Sequence, residues 1–441
     1  MLIFFSLIIF ITPLIYELLR QVLFLRFDGL SVINISFSII YGLTSFLITI
    51  DVLGVNTNNN QLDHFNFPSI YSLSLILISY VSCVVSYNYI SFNNIKIPSH
   101  LTNERIDSII FKSSFISLIL SFICVFAYSS QYGGITNAIK MAGIIRSGYG
   151  DDHLVGSGNT LFLKYLLPLC IYFGLSSFYF ILKSKSRSYL KWVIFILITL
   201  YCAFCFLLMS GRGRIVLYLC QLIILYFYLK SDGKKLSIKL IFILIIGLSL
   251  SLFVVNYGKS FFNQLSNDSG ISVSNVKNEN DSNLLSFSEY YVHRVASIDV
   301  SIFTPNQKYT YFYDLIYSPM YFIPERITGI KKPESISFVN TLNYIGIKDS
   351  IVPPGIVAYG YLSLGVLGVV LISIFVAGFL KLITVLFYNK ENALIVVYVP
   401  AISYLGNYLF ASDPRVTINA TVHLVIFLLI SFVVSKRVRF L

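Results

Sequence analysis

Glu289 and His293 stand four residues apart, with Arg294 directly after the histidine. On a helix this spacing puts the carboxylate and the imidazole on one face. An imidazole titrates near neutrality and a neighbouring acid sets its tautomer, so the two form a candidate general base with its orienter. The same spacing is also that of an ordinary contact between turns on a helix surface. Arginines supply a second kind of chemistry. Arg212 and Arg214 lie in Ser210-Gly211-Arg212-Gly213-Arg214, where glycines permit close backbone approach and two guanidiniums can grip phosphate oxygens in pairs. A glycine hairpin whose arginines reach lipid headgroups has the same sequence.

Arg146 sits beside Asp151, Asp152 and His153, and Arg326, Lys331 and Lys332 cluster around Pro324 and Pro333. The first group reads as an anion contact or as a local ion pair in a solvated turn. The second reads as a further anionic contact or as headgroup binding. His423 falls inside the last apolar stretch, where an ionisable group faces a cavity or a partner, or packs as a neutral imidazole. Tyr290, Tyr291, Tyr311, Tyr313, Tyr317, Tyr321 and Phe322 suit sugar stacking or an aromatic interface belt. No spacing of Cys, His or carboxylates resembles a metal site, and no phosphate-binding loop is present, so neither metal nor cofactor is expected.

The elements that position these groups follow from composition. Of 441 residues, 56% are hydrophobic and only 12% charged, too few to coat a globule in water. The net charge of +12 is spread over short connections, which points to membrane topology and away from nucleic acid. All six cysteines, among them the Cys202/Cys205 pair, fall in apolar stretches, so neither a disulfide framework nor a zinc site is implied.

Apolar windows predict an all-α integral membrane protein, a polytopic bundle of about eleven transmembrane helices forming one membrane domain over 1–441. The windows are 2–19, 29–50, 68–90, 109–129, 160–182, 190–209, 215–230, 238–256, 356–379, 392–411 and 416–434. The first lacks a basic leader and a cleavage site and reads as a helix, not a removable signal. Alternate connections differ about threefold in Lys and Arg; those carrying Lys183, Lys185, Arg187 and Lys191, or Lys230, Lys234, Lys235 and Lys239, are expected in the cytoplasm. The N-terminus is then outside and the C-terminus inside.

The long segment 257–355 falls outside the cytoplasm in this scheme, as a large extracytoplasmic loop containing short helices. Residues 263–283, rich in Asn, Ser and Asp, read as its flexible part. Leu285, Tyr290 or Tyr291, Val295, Ile298 and Ile302 predict an amphipathic helix over 284–303, lying against the membrane or the bundle. The run 309–323, interrupted by Asp314 and Pro319, reads as an interfacial or re-entrant segment.

Three segments together resemble the Wzy-type polymerases of O-antigen and capsule repeat units. Gly133-Gly134 and Arg146 precede the fifth helix, and the Ser210–Arg214 turn opens the seventh. Ile323-Pro324-Glu325-Arg326 with Lys332-Pro333 is similar to the family's proline-arginine and lysine-proline element. Pro353-Pro354-Gly355 through Tyr359, Gly360, Gly365 and Gly368 is similar to the start of the family's next helix, with Ser363 where an asparagine is expected.

The resemblance implies a GT-C-like glycosyltransferase architecture in the bacterial cytoplasmic (inner) membrane. It implies a metal-independent enzyme that moves a growing glycan from undecaprenyl diphosphate onto a new lipid-linked repeat unit. Its partners would be the undecaprenyl-diphosphate-linked donor and acceptor, membrane lipid, a chain-length regulator and a flippase. In that scheme Arg146, Arg212, Arg214, Arg294, Arg326 and Lys332 bind the diphosphate, His293 is the base and Glu289 its orienter. An O-antigen ligase, which uses the same donor, and a polysaccharide flippase or other transporter are the rival expectations.

Overall fold

Helix α4 (Asn103–Ser129) is built inside out: Phe111, Phe115, Ile119, Phe122, Ile123 and Phe126 are exposed, while Ser113, Ser114, Ser117 and Ser121 are buried. In water the order would be reversed. With lipid outside, small polar residues belong at helix contacts, where backbones approach closely. Two of these serines donate back to carbonyls one turn earlier, Ser113 to Ile109 and Ser114 to Ile110, both at 2.7 Å. Ser121 instead reaches across to the carbonyl of Leu167 at 2.8 Å.

The computed structural model describes residues 1–24, 27–50, 52, 68–92, 102–140, 161–184, 188–209, 212–230, 285–304, 308–318, 320, 329, 334–345, 352–389 and 391–438. Every regular element among them is helical. Before α4 come α1 (Leu2–Phe24), α2 (Gly29–Thr49) and α3 (Ile70–Tyr89). After it come α5 (Cys170–Lys183), α6 (Tyr189–Leu208) and α7 (Arg212–Lys230). The chain continues as α8 (Leu285–Phe303), α9 (Tyr313–Tyr317), α10 (Ile336–Ile345), α11 (Gly355–Phe387), α12 (Ile395–Ala411) and α13 (Pro414–Val438).

Nine described helices are long and apolar enough to cross a membrane. At the window expected over 392–411 stands the shorter apolar helix α12, and the window 238–256 lies outside the described residues. The described chain forms two compact units. One takes in 1–95, 281–385 and 404–420, the other 96–280, 386–403 and 421–441.

In the first unit, charges within α1 are matched locally. Arg20 grips Glu17 with two nitrogens at 3.0 and 3.1 Å and reaches Asp28 at 3.1 Å. Asn34 donates to Glu17 at 2.8 Å, and the hydroxyl of Tyr80 donates to Asn34 at 3.0 Å. Asp28 also caps α2, accepting from the amides of Leu30 and Ser31. Helix α2 carries a π-helical stretch over Phe37–Leu43, from which Tyr41 donates to the carbonyl of Phe410 at 2.8 Å.

Helix α11 departs from the sequence expectation of one continuous span over 356–379. Leu364 (φ −153°, ψ 30°) and Gly365 (φ 63°, ψ −145°) break it, a conformation at Gly365 that only glycine adopts cheaply. The piece before the break folds back on the piece after it: a Cβ on Gly368 would lie 2.1 Å from the carbonyl oxygen of Gly360. The carbonyls of Leu362 and Ser363, released from the helix, accept from the amides of Thr310 and Tyr311 at 3.0 and 3.1 Å. Chain 308–310 is therefore pinned onto α11, and the next residues, Tyr311 and Phe312, are left-handed without being glycine (φ 50° and 58°).

Candidate functional site

Helix α8 begins and ends close to where the sequence pattern places it, and of the two expected settings it takes the one against other helices. Tyr291, Val292 and the run from Arg294 to Ser301 are buried within the first unit. Two charged side chains anchor it to the ends of other helices. Asp299 accepts from the amide of Ser69 at 3.3 Å and from the hydroxyl of Ser72 at 3.2 Å, at the N-terminus of α3. Arg294 donates through Nε to the carbonyl of Ala411 at 3.0 Å, at the C-terminus of α12. A carboxylate at the positive end of one helix and a guanidinium at the negative end of another complement both dipoles. Burial pushes the Asp299 carboxyl up, and the hydrogen bonds from Ser69 and Ser72 oppose it.

Against α8 packs α10, a helix the sequence pattern did not single out. The two meet in successive rungs. His293 and Tyr344 touch edge to face, their ring centroids 5.3 Å apart at 88°. One turn along each helix, Asn340 donates to the hydroxyl of Ser297 at 2.9 Å, and Ser297 donates to the carbonyl of His293 at 2.5 Å. Asn340 also donates to the carbonyl of Val352 at 2.9 Å, while the amide of Val352 donates to Thr341 at 2.7 Å. These bonds lead the chain into Gly355, where φ is +75° and a Cβ would stand 2.7 Å from the Tyr41 hydroxyl and 3.2 Å from Cγ of Arg294.

The N-terminus of α10 meets two buried carboxylates. Asp314 accepts from the amide of Ile336 at 3.3 Å, and Asp413 accepts from the hydroxyl of Ser337. Asp413 also caps α13, accepting from Val416 at 2.7 Å, with Pro414 at the first helical position as helix starts favour. Burial raises the Asp413 carboxyl, against the hydrogen bonds from Ser337 and Val416 and the charge of Arg415.

His293 is driven the other way from its ordinary value: burial, and then the charge of Arg294, hold its imidazole down to about 4. It is therefore neutral near pH 7, and its surroundings oppose its taking up a proton. Its Nδ1 is buried and has no hydrogen-bond partner among the described residues, and the same is true of the hydroxyl of Tyr344, a residue 1% exposed. Burial pushes the Tyr344 phenol up to about 12, so it stays a donor.

The other groups singled out in the sequence are placed as follows. Glu289 falls one turn before His293 on α8. Arg294 points into the protein and is 4% exposed. In the second unit, Arg212 is the first residue of α7, and Arg214, half-buried, has Nη1 3.1 Å from the sulfur of Met209. His423 is buried there with its ring centroid 6.0 Å from that of Tyr172, which stacks on Phe427 at 3.9 Å. Arg146, Asp151, Asp152, His153, Arg326, Lys331 and Lys332 lie outside the described residues.

What sequence reasoning missed is Tyr344, Asn340, Ser337 and Asp413. Their part in the site comes from contacts between distant segments; only the Ser412-Asp413-Pro414 helix start was readable locally. Comparisons of this chain with protein-family models, with curated proteins and with solved structures find no match.

Proposed function

We propose that this chain is a membrane glycosyltransferase that polymerises undecaprenyl-diphosphate-linked oligosaccharide repeat units for a bacterial surface polysaccharide. The observation that carries this reading is the placement of His293, whose buried Nδ1 has no hydrogen-bond partner among the described residues, inside the long segment between apolar helices that resembles the loop of Wzy-type polymerases. The reading places segment 257–355 on the extracytoplasmic side of the inner membrane. Nucleotide sugars are absent there, so an activated donor must arrive attached to lipid, with a diphosphate as leaving group.

In this mechanism the imidazole takes the proton of the acceptor hydroxyl as the new glycosidic bond forms. The electron pair of the breaking bond goes to the diphosphate, whose developing charge needs cationic partners. Arg146, Arg212, Arg214, Arg326 and Lys332 remain the groups proposed for it. Arg294 is proposed to hold α8 in place through its bond to the Ala411 carbonyl, while its charge opposes imidazolium formation on His293. Glu289 is proposed to orient the imidazole from one turn away.

Deletion of the gene and examination of the surface polysaccharide test the reading. Loss of a polymerase leaves single repeat units on their anchor. Loss of a ligase leaves none there, and an unchanged ladder would remove both assignments.

A further inference from the structure

We propose that α11 enters the bilayer at its break and not at its first residue, and that four tyrosines gathered there, Tyr71, Tyr309, Tyr311 and Tyr361, form a surface that docks into the phospholipid headgroup layer. The part of α11 before Gly365 is then held by protein, and only 366–387 crosses. The inference does not depend on the chemistry proposed at His293.

Length gives the first argument. At about 1.5 Å per residue, the 33 residues of α11 would make a rod of about 50 Å, well beyond a hydrocarbon core of about 30 Å. Residues 366–387 alone run about 33 Å, which matches that core. Exposure divides at the same point. From Gly355 to Ser363 every residue is buried except Tyr361, which is half-buried. After the break Val366, Leu367, Leu371, Ile374 and Phe375 are exposed, at the spacing of one helical face turned to lipid.

A second helix marks the same level. Helix α3 is apolar over 20 residues, about 30 Å, and runs parallel to α11. Its Ser79 and Ser373 hydroxyls lie 2.7 Å apart, and the hydroxyl of Tyr87 reaches Thr384 at 3.3 Å. Nine residues back from Ser79 is Ile70, where α3 starts, and nine back from Ser373 is Leu364, where α11 breaks.

At that level the tyrosines converge from three segments of the first unit. Tyr71 meets Tyr361 with ring centroids 6.3 Å apart, Tyr309 meets Tyr311 at 6.5 Å, and the Tyr309 hydroxyl would lie 3.2 Å from a Cβ on Gly365. Tyr311 is 67% exposed and Tyr309 50%. The left-handed backbone at Tyr311 and Phe312, strained for residues other than glycine, leaves Tyr311 outside while the Phe312 ring packs 5.8 Å from that of buried Tyr359. Tyrosine suits a bilayer boundary because its ring is apolar and its hydroxyl finds water or phosphate. Lys308, exposed beside Tyr309, supplies a cation for the phosphates. The rings of each pair stand edge to face, at 84° and 72°, so they offer no flat platform on which a sugar would stack. Ile70 and Leu367, exposed next to Tyr71 and to the break, continue the patch into the lipid-facing stripe.

The test is the depth of single tryptophans, read by quenching with lipids brominated at defined positions along their chains. The full-length chain carries one tryptophan, Trp192, which is first removed as Trp192→Phe. Tyr311→Trp, Leu367→Trp and Ile374→Trp, all at exposed positions, are then reconstituted singly into vesicles of phosphatidylcholine and phosphatidylglycerol. Entry at the break puts residue 367 about 13 Å from the bilayer centre and residue 374 about 3 Å from it. A single span beginning at Gly355 would instead put residue 367 within about 3 Å of the centre. Tyr311→Trp should lose emission to bromines near the headgroup, more than to bromines at the chain ends, and should resist acrylamide in the water. Quenching of Leu367→Trp from the chain ends overturns the entry level. A Tyr311→Trp emission open to acrylamide and untouched by brominated lipid overturns the docking surface. Protection of that tryptophan only when an oligosaccharide is added would give the patch to a glycan and overturn it as well.

Discussion

Acid should cost this protein stability through His293, and the size of the effect follows from its surroundings. The imidazole is held at about 4 against an ordinary value of 6.5. Between those values the unfolded chain binds the proton and the native protein does not, so native stability falls as pH drops through that window and levels off below it. About 2.5 units at about 1.4 kcal/mol each give a loss of about 3 kcal/mol. Asp299 and Asp413 act in the opposite sense, because burial raises them and their native forms take up protons first. They are common to wild type and variant, so their contribution cancels in a difference. The measurement is the unfolding free energy of wild type and of His293→Gln in one detergent at pH 7.5 and pH 4. Wild type should lose about 3 kcal/mol more than the variant over that range. Parallel losses would show that the imidazole is not held neutral by its burial.

Two further predictions concern how the site is held. Gly368→Ala places a methyl group 2.1 Å from the carbonyl oxygen of Gly360, and Gly365→Ala forces a left-handed backbone; each should destabilise by about 1–3 kcal/mol in a thermal or denaturant titration, and unchanged stability in both would contradict the broken form of α11. Arg294→Met removes the charged donor to the carbonyl of Ala411 and should cost about 1.5–3 kcal/mol, while raising the His293 pKa seen by NMR titration because a neighbouring positive charge is gone; an unmoved His293 would contradict the coupling.

Much of the fold is written locally. Apolar length marks the crossing helices, and the stripe of Val295 and Ile298 marks α8 over Leu285–Phe303, close to the range 284–303 that the pattern predicts. The break in α11 is not legible, because glycine is common in membrane helices and only the approach of Gly360 to Gly368 and the capture of the 362 and 363 carbonyls show why the chain turns there. The site divides the same way. Its imidazole stands out by type, and its neighbour Arg294 by charge. What they meet depends on long-range packing: Arg294 finds a carbonyl 117 residues away, and the ring against His293 comes from a segment with no chemical signature of its own. Glu17 and Arg20 show the converse, being readable as charges in an apolar helix, with the Asp28 and Asn34 contacts that satisfy them set by the pairing of α1 and α2.

The most direct test of the account is polymerisation by the purified chain from a defined undecaprenyl-diphosphate-linked repeat unit, resolved by chain length. Wild type should produce a ladder, and His293→Gln should leave single repeats, with elongation reduced on the order of 10²–10⁴-fold and donor binding retained. A His293→Gln ladder formed at the wild-type rate, or a wild-type chain that binds the donor and never extends it, would contradict the central claim.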